Sequence, residues 1–144
     1  MIHGEELELK KVVILLLGLT LLLVGGYDTY EYVNERNIVN GVVSKDISGK
    51  EMPVGKTMFA PKDTVYFSAK GNKFWVKKAQ IVWYKGEIER KNRLSVEEVK
   101  INKDGYFISK LSIPEGLEEG HYGVTIYVDG SDVMQTSAEF DVKK

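Results

Sequence analysis

His121 is one of two histidines in this chain, and the other, His3, lies near the N-terminus. A single imidazole works as a general base or a metal ligand only beside an orienting carboxylate and a nucleophile, or beside further ligands. The sequence around His121 offers no such grouping, so a solvated residue at a loop edge is expected there. The acidic pairs Glu97-Glu98 and Glu118-Glu119, with Asp129 and Asp132, are the residue types that hold calcium together with loop carbonyls. Neighbours on a strand point to opposite faces, which argues against Glu97-Glu98 as a clamp and favours solvated charge. Met52, Met58 and Met134 are too scattered for a copper site and are expected to fill the core. With no cysteine, thiolate metal sites, thiol nucleophiles and disulfides are excluded together. Phosphate-cradling glycine loops and the strained serine elbow of hydrolases are also absent from the sequence. The expectation is a protein with no catalytic residue, no metal and no cofactor.

Charge narrows the partners further. The chain has a net charge of −1, with 43% hydrophobic and 28% charged residues. Those proportions suit a folded domain. From residue 41 onward, 17 Lys and Arg stand against 15 Asp and Glu, interspersed. No basic run tracks a phosphate backbone, so nucleic acid is not expected as a partner. Scarce glutamine with abundant lysine and glutamate points toward a thermophilic source.

The elements that would carry such residues fall into two parts. Val12 to Val24 is almost wholly aliphatic, and no charge occurs from Val12 to Tyr27. As a helix, Val12 to Tyr27 would extend about 24 Å, somewhat short of the roughly 30 Å hydrocarbon layer. Lys10 and Lys11 before it, and Val24 and Gly26 as small positions after it, also suit a cleaved secretion signal. Three features favour a retained anchor: Glu5, Glu6 and Glu8 in a segment that is basic in most signals, Tyr27, Tyr30 and Tyr32 placed as an aromatic belt, and helical spacing continuing to Asn37. The expected plan is a short cytoplasmic N-terminus at 1–11, a transmembrane helix with a stalk at 12–34, a linker at 35–40 and a domain at 41–144. Val12, Leu16, Leu21, Val24, Tyr27 and Tyr30 mark the anchor. Lysines precede the span and only Arg36 follows closely, so the positive-inside rule exports the domain under either reading.

From Gly41 the apolar block gives way to short alternating runs broken by Gly, Pro, Asn and Asp, the pattern of an all-β domain. Strands are expected at 41–47, 52–59, 63–70, 79–85, 106–113 and 122–129, with a looser hairpin over 86–101 and a closing strand through Met134, Thr136, Ala138, Phe140 and Val142. In these runs Val65, Phe67 and Ala69, then Ala79, Ile81 and Trp83, then Tyr122, Val124, Ile126 and Val128 point inward. Seven or eight such strands predict an antiparallel β sandwich.

The stretch LEEGHYGVTIYVDG, Leu117 to Gly130, resembles the penultimate strand of immunoglobulin-like and fibronectin type III-like domains, and Trp83 in IVWYK resembles their core tryptophan. The resemblance implies a hydrogen bond from the Tyr122 hydroxyl back to the backbone at the sheet corner. It implies, too, that the strands bearing Trp83 and Tyr122 are neighbours in one sheet. Val82, Tyr84 and Tyr127 would then form an exposed aromatic patch for a partner protein. Phe74 and Trp75, just after Gly71-Asn72-Lys73, are a second candidate contact, expected chiefly to cap one end of the core. The function read from all this is a membrane-anchored extracytoplasmic module that recognises an envelope, surface-layer or membrane-complex protein. A secreted filament or adhesin subunit is the alternative, and a hydrolase or sugar-binding domain a third, which would need a polar cleft.

Overall fold

The computed structural model describes residues 8–20, 36–47 and 51–144. Two compact units divide the chain at Glu35 and Arg36. In the first, residues 8–20 are helical. Leu9, Val12, Val13, Ile14, Leu15, Leu16, Leu17 and Leu19 are all exposed along that helix, and from Val12 to Leu19 it carries no charged side chain. Among the described residues no helix is long and apolar enough to cross a membrane. The anchor positions Leu21, Val24, Tyr27 and Tyr30 lie outside the described residues.

The second unit is a mostly-β, sandwich-like fold of eight strands in two sheets: β1 Ile38–Ser44, β2 Met58–Phe59, β3 Val65–Gly71, β4 Lys78–Lys85, β5 Arg93–Lys100, β6 Tyr106–Leu111, β7 Gly120–Val128 and β8 Met134–Val142. One sheet has the order β1-β3-β6 and the other β2-β8-β7-β4-β5. All pairings are antiparallel except the short β2–β8 pair. The alternating residues expected inward form the core: Val65, Phe67, Ala69, Ala79, Ile81, Trp83, Tyr122, Val124 and Ile126 are buried together with Phe107, Phe140 and Val142. Trp83 lies edge-on to Phe67 and Phe140, at centroid distances of 6.5 and 6.2 Å. Burying these rings and branched side chains between two sheets is what holds a cysteine-free sandwich together.

Several boundaries differ from the sequence expectation. The domain starts before Gly41: Ile38 is already core, and Asn40-Gly41 is a bulge inside β1, where the register shifts between Val39 and Val42. Asn40 has φ 56°, a conformation asparagine tolerates better than most residues. A Cβ on Gly41 would come within 2.9 Å of the Phe67 ring, so the bulge lets the backbone lie close against the core. The strand expected over 52–59 shrinks to the two residues of β2. Met58 and Met134 are 45% and 44% exposed, not core fillers, because each occupies the first position of its strand, facing away from the core.

Side chains also cross between the sheets at the start of β1. The Arg36 guanidinium donates to the Gln135 carbonyl at 2.5 Å, the Asn37 N–H to Gln135 Oε1 at 3.0 Å, and the Gly41 N–H to Thr136 Oγ1 at 3.2 Å. Strand β1 thus belongs to one sheet by its ladder and is clasped to β8 of the other.

Candidate functional site: the outer face and edge of the five-stranded sheet

Strand β4 lies between β7 and β5, and its outward residues are Gln80, Val82 and Tyr84. In register, Val82 faces Thr125 on β7 and Val96 on β5, while Tyr84 faces Gly123 and Arg93. Alternation places Val82 and Tyr84 on the face away from the core, as expected, and both stand outside the core cluster. They are nonetheless buried, at 1% and 2% exposure, so they are not themselves an open patch. The connection from β4 to β5 lies over the same face beside Tyr84. It turns at Gly86 (φ 95°) and is held by the Gly86 N–H on the His121 carbonyl (2.7 Å) and the Asn92 amide on the Glu87 carbonyl (2.9 Å). This brings Ile88 down over Gly123, directly opposite Tyr84.

What the outer face presents is a polar cluster over an apolar floor. The hydroxyls of Tyr84 and Tyr127 lie 3.5 Å apart. Thr125 is fully buried between their strands, and its Oγ1 lies against both phenols without a well-aligned hydrogen bond to either. Burial raises the Tyr84 pKa, yet the adjacent Thr125 and Tyr127 hydroxyls and the Arg93 guanidinium together outweigh it and leave that phenol below its ordinary value. Burial dominates at Tyr127, which is shifted upward. Beside the cluster lies a shallow pocket of about 170 Å³, lined by Gln80, Val82, Arg93, Val96, Tyr127 and Asp132. It is little more than half the roughly 300 Å³ at which clefts that enclose a drug-sized ligand begin.

The edge beyond this pocket is open. β5 pairs only with β4 among the described residues, so its other side presents backbone donors and acceptors to solvent. Leu94 and Val96 on it are 44% and 53% exposed. Leu94 is the extra residue at the register shift between Trp83 and Tyr84, and such a bulge turns a side chain out of the regular pleat. On the core side of β5, Glu97 accepts from the Ser109 hydroxyl at 2.5 Å, and Ser109 accepts from the Trp83 indole at 2.9 Å. Glu98 lies near Lys78 at 3.8 Å on the opposite face, so the two adjacent carboxylates diverge.

The remaining candidates are placed as follows. The Tyr122 hydroxyl donates to the Glu118 carbonyl at 2.7 Å, the bond that the resemblance implied. Phe74 is 75% exposed and Trp75 48%, so neither caps the core; the next residue, Val76, is buried and does so. His121 is not a free loop residue: it lies on β7, its Nδ1 2.9 Å from Asp141 and its Nε2 3.2 Å from Glu139. Hydrogen bonding to Asp141, then to Glu139, raises the imidazole pKa against a smaller opposing effect of burial. Because the ring bridges the two carboxylates, its nitrogens are not free to join them around an ion. Among the described residues no group of three His, Asp or Glu side chains is placed to hold a metal. Glu118 pairs with Lys85, and Glu119 accepts from the Lys144 N–H at 2.7 Å.

Comparison of the sequence with protein families gives no match, and comparison with curated proteins gives none either. Among solved structures, the soluble domain of PmoD from Methylocystis sp. ATCC 49242 is similar with a TM-score of 0.46 and 11% identity, over 74% of this chain and 90% of that one. Alkylpurine DNA glycosylase AlkC from Pseudomonas fluorescens, bound to DNA containing an abasic site analog, is similar with a TM-score of 0.40 and 13% identity, over 76% of this chain and 31% of that one. Neither protein's role follows for this chain.

Proposed function

We propose that this chain is a membrane-anchored β-sandwich module, displayed outside the cytoplasm, that binds or assembles with an envelope, surface-layer or membrane-complex protein through the edge strand β5. The proposed action is recognition without a chemical step. One observation carries it: β5 is an outermost strand bearing exposed Leu94 and Val96, beside a shallow pocket suited to a partner's side chain. A partner strand added there would satisfy the open backbone groups, and alternate side chains would give specificity. The strand order supports the fibronectin type III-like resemblance, since β4 and β5 share a sheet with β7 and β8 opposite β1, β3 and β6, and the Tyr122 bond supports it at the sheet corner.

The anchor is supported by the helix over residues 8–20, which is apolar on every face from Val12 onward. A helix without a polar face needs apolar surroundings on all sides. Lys10 and Lys11 ahead of it support a cytoplasmic N-terminus by the positive-inside rule.

Site-specific photo-crosslinking from position 96 in native membranes tests the reading. A discrete adduct with another protein, absent when the crosslinker sits at exposed Lys110 on the other sheet, is the expected result; no adduct at 94 or 96 overturns it. An adduct of twice the chain mass identifies a second copy as the occupant. Intact mass of the membrane-bound protein separates anchor from secreted filament subunit, because loss of residues up to about Gly26 would mark a cleaved signal.

A further inference from the structure

Phe74 and Trp75 stand at the tip of the β3–β4 connection as an edge-to-face pair, with centroids 5.1 Å apart and planes at 83°. Val76 already seals the core beneath them, and Phe74 is largely exposed while Trp75 is half-exposed with the Lys73 ammonium 6.0 Å from its ring centroid. The connection is pinned to one place: the Asn72 N–H donates to the Asn37 carbonyl at 2.8 Å and the Asn72 side-chain amide to the Arg36 carbonyl at 2.9 Å. The aromatic tip therefore belongs to the end of the sandwich at which the chain enters the domain. The same end carries exposed lysines. Lys77 and Lys78 follow the pair directly, and Lys100 and Lys103 flank Ile101, whose N–H bonds the Lys77 carbonyl at 2.9 Å.

Exposed aromatic rings rimmed by lysines make up the residue set that settles at a bilayer surface. The rings enter the headgroup and upper acyl region, and the ammonium groups meet lipid phosphates. Covalent continuity supplies the occupant. Residues 25–35 join the apolar segment to the domain, and even fully extended they reach only about 40 Å. Any bilayer that holds the segment is within reach of this end of the sandwich.

We propose that the Phe74–Trp75 loop inserts into the headgroup layer of the bilayer that anchors the chain, with Lys77, Lys78, Lys100 and Lys103 on anionic lipid phosphates. This rests on the anchor reading. It goes beyond it by giving the domain a second membrane contact and a fixed orientation.

The chain has two tryptophans, and Trp83 is buried in the core, so emission that responds to the surroundings reports Trp75. The full chain is reconstituted into phosphatidylcholine–phosphatidylglycerol vesicles, with and without doxyl-labelled lipid. The expected result is a blue shift on adding vesicles, quenching by the doxyl lipid and a vesicle-dependent gain in protection from aqueous iodide; in Trp75→Phe, where only buried Trp83 emits, the signal should not respond to vesicles. Phosphatidylcholine alone should weaken the quenching. Alkaline carbonate extraction, run in parallel, reports the anchor. Retention in the membrane with Trp75 open to iodide and untouched by doxyl lipid overturns the loop insertion while leaving the anchor standing. Release by carbonate, with doxyl quenching still present before extraction, overturns the anchor and upholds the loop as a lipid-binding element. Release without quenching overturns both.

Discussion

Ile88 lies so close over Gly123 that a Cβ built on that glycine would come within 2.7 Å of its Cγ1. The pair joins the β4–β5 connection to the sheet's outer face, next to buried Tyr84, which is in register with Gly123. Gly123→Ala should displace Ile88 and lower stability by about 1 kcal/mol, the lower end for overpacking because a side-chain end can yield. Ile88→Ala should relieve the clash, so the two changes together cost less than their sum. A double-mutant cycle by urea unfolding measures this; strict additivity would show that the contact is not responsible.

Tyr122→Phe removes the hydroxyl that donates to the Glu118 carbonyl and keeps the ring stacked on Phe140 at 5.3 Å. The expected loss is about 1 kcal/mol, the net worth of one hydrogen bond. An unchanged urea midpoint would mean that water replaces the contact at no cost.

Ser109 stands between the Trp83 indole and Glu97, accepting from one and donating to the other. Ser109→Ala leaves a fully buried N–H without its acceptor, which should cost about 1–3 kcal/mol. Glu97→Gln keeps an acceptor for the hydroxyl and should cost less. Equal losses from the two substitutions would contradict the relay.

His121 makes a pH-dependent contribution. Its folded pKa is raised above the ordinary 6.5 by Asp141 and Glu139, so the stabilisation is fully present below about pH 6.5 and fades as pH rises through the higher folded value. The ring is 38% exposed, and solvent screening holds the effect to a few tenths of a kcal/mol. Thermal midpoints of the parent should therefore fall relative to His121→Gln between mildly acidic and mildly alkaline pH. Parallel curves would remove the ion pairs from the account.

Period-two alternation made the inward sets of β3, β4 and β7 legible, since a strand buried on one face must repeat its apolar residues every second position. What alternation does not carry is register. A plain hairpin closed at Asp129-Gly130 in step with the Tyr127–Met134 pair would set His121 opposite Phe140, whereas the bulge between Ile126 and Tyr127 moves it opposite Asp141. One residue of slip turns an apparently lone histidine into a bridged one. The covered outer face escaped for another reason: whether Val82 and Tyr84 are open depends on where the β4–β5 connection lies, and no local pattern specifies that. Asn40-Gly41 reads equally as a turn and as a bulge, and only the burial of Ile38 ahead of it separates the two.

The clasp at Arg36 has a mechanical meaning. Tension applied through the N-terminal segment would enter at that residue, in line with β1, whose ladder to β3 runs across the strand. Loaded along its axis, that ladder shears as a set instead of peeling one bond at a time. The contacts of Arg36, Asn37 and Gly41 with Gln135 and Thr136 pass part of the load into the second sheet, the sheet that ends at β5. A pull between the start of β1 and the edge at β5 would thus be carried by both layers of the sandwich.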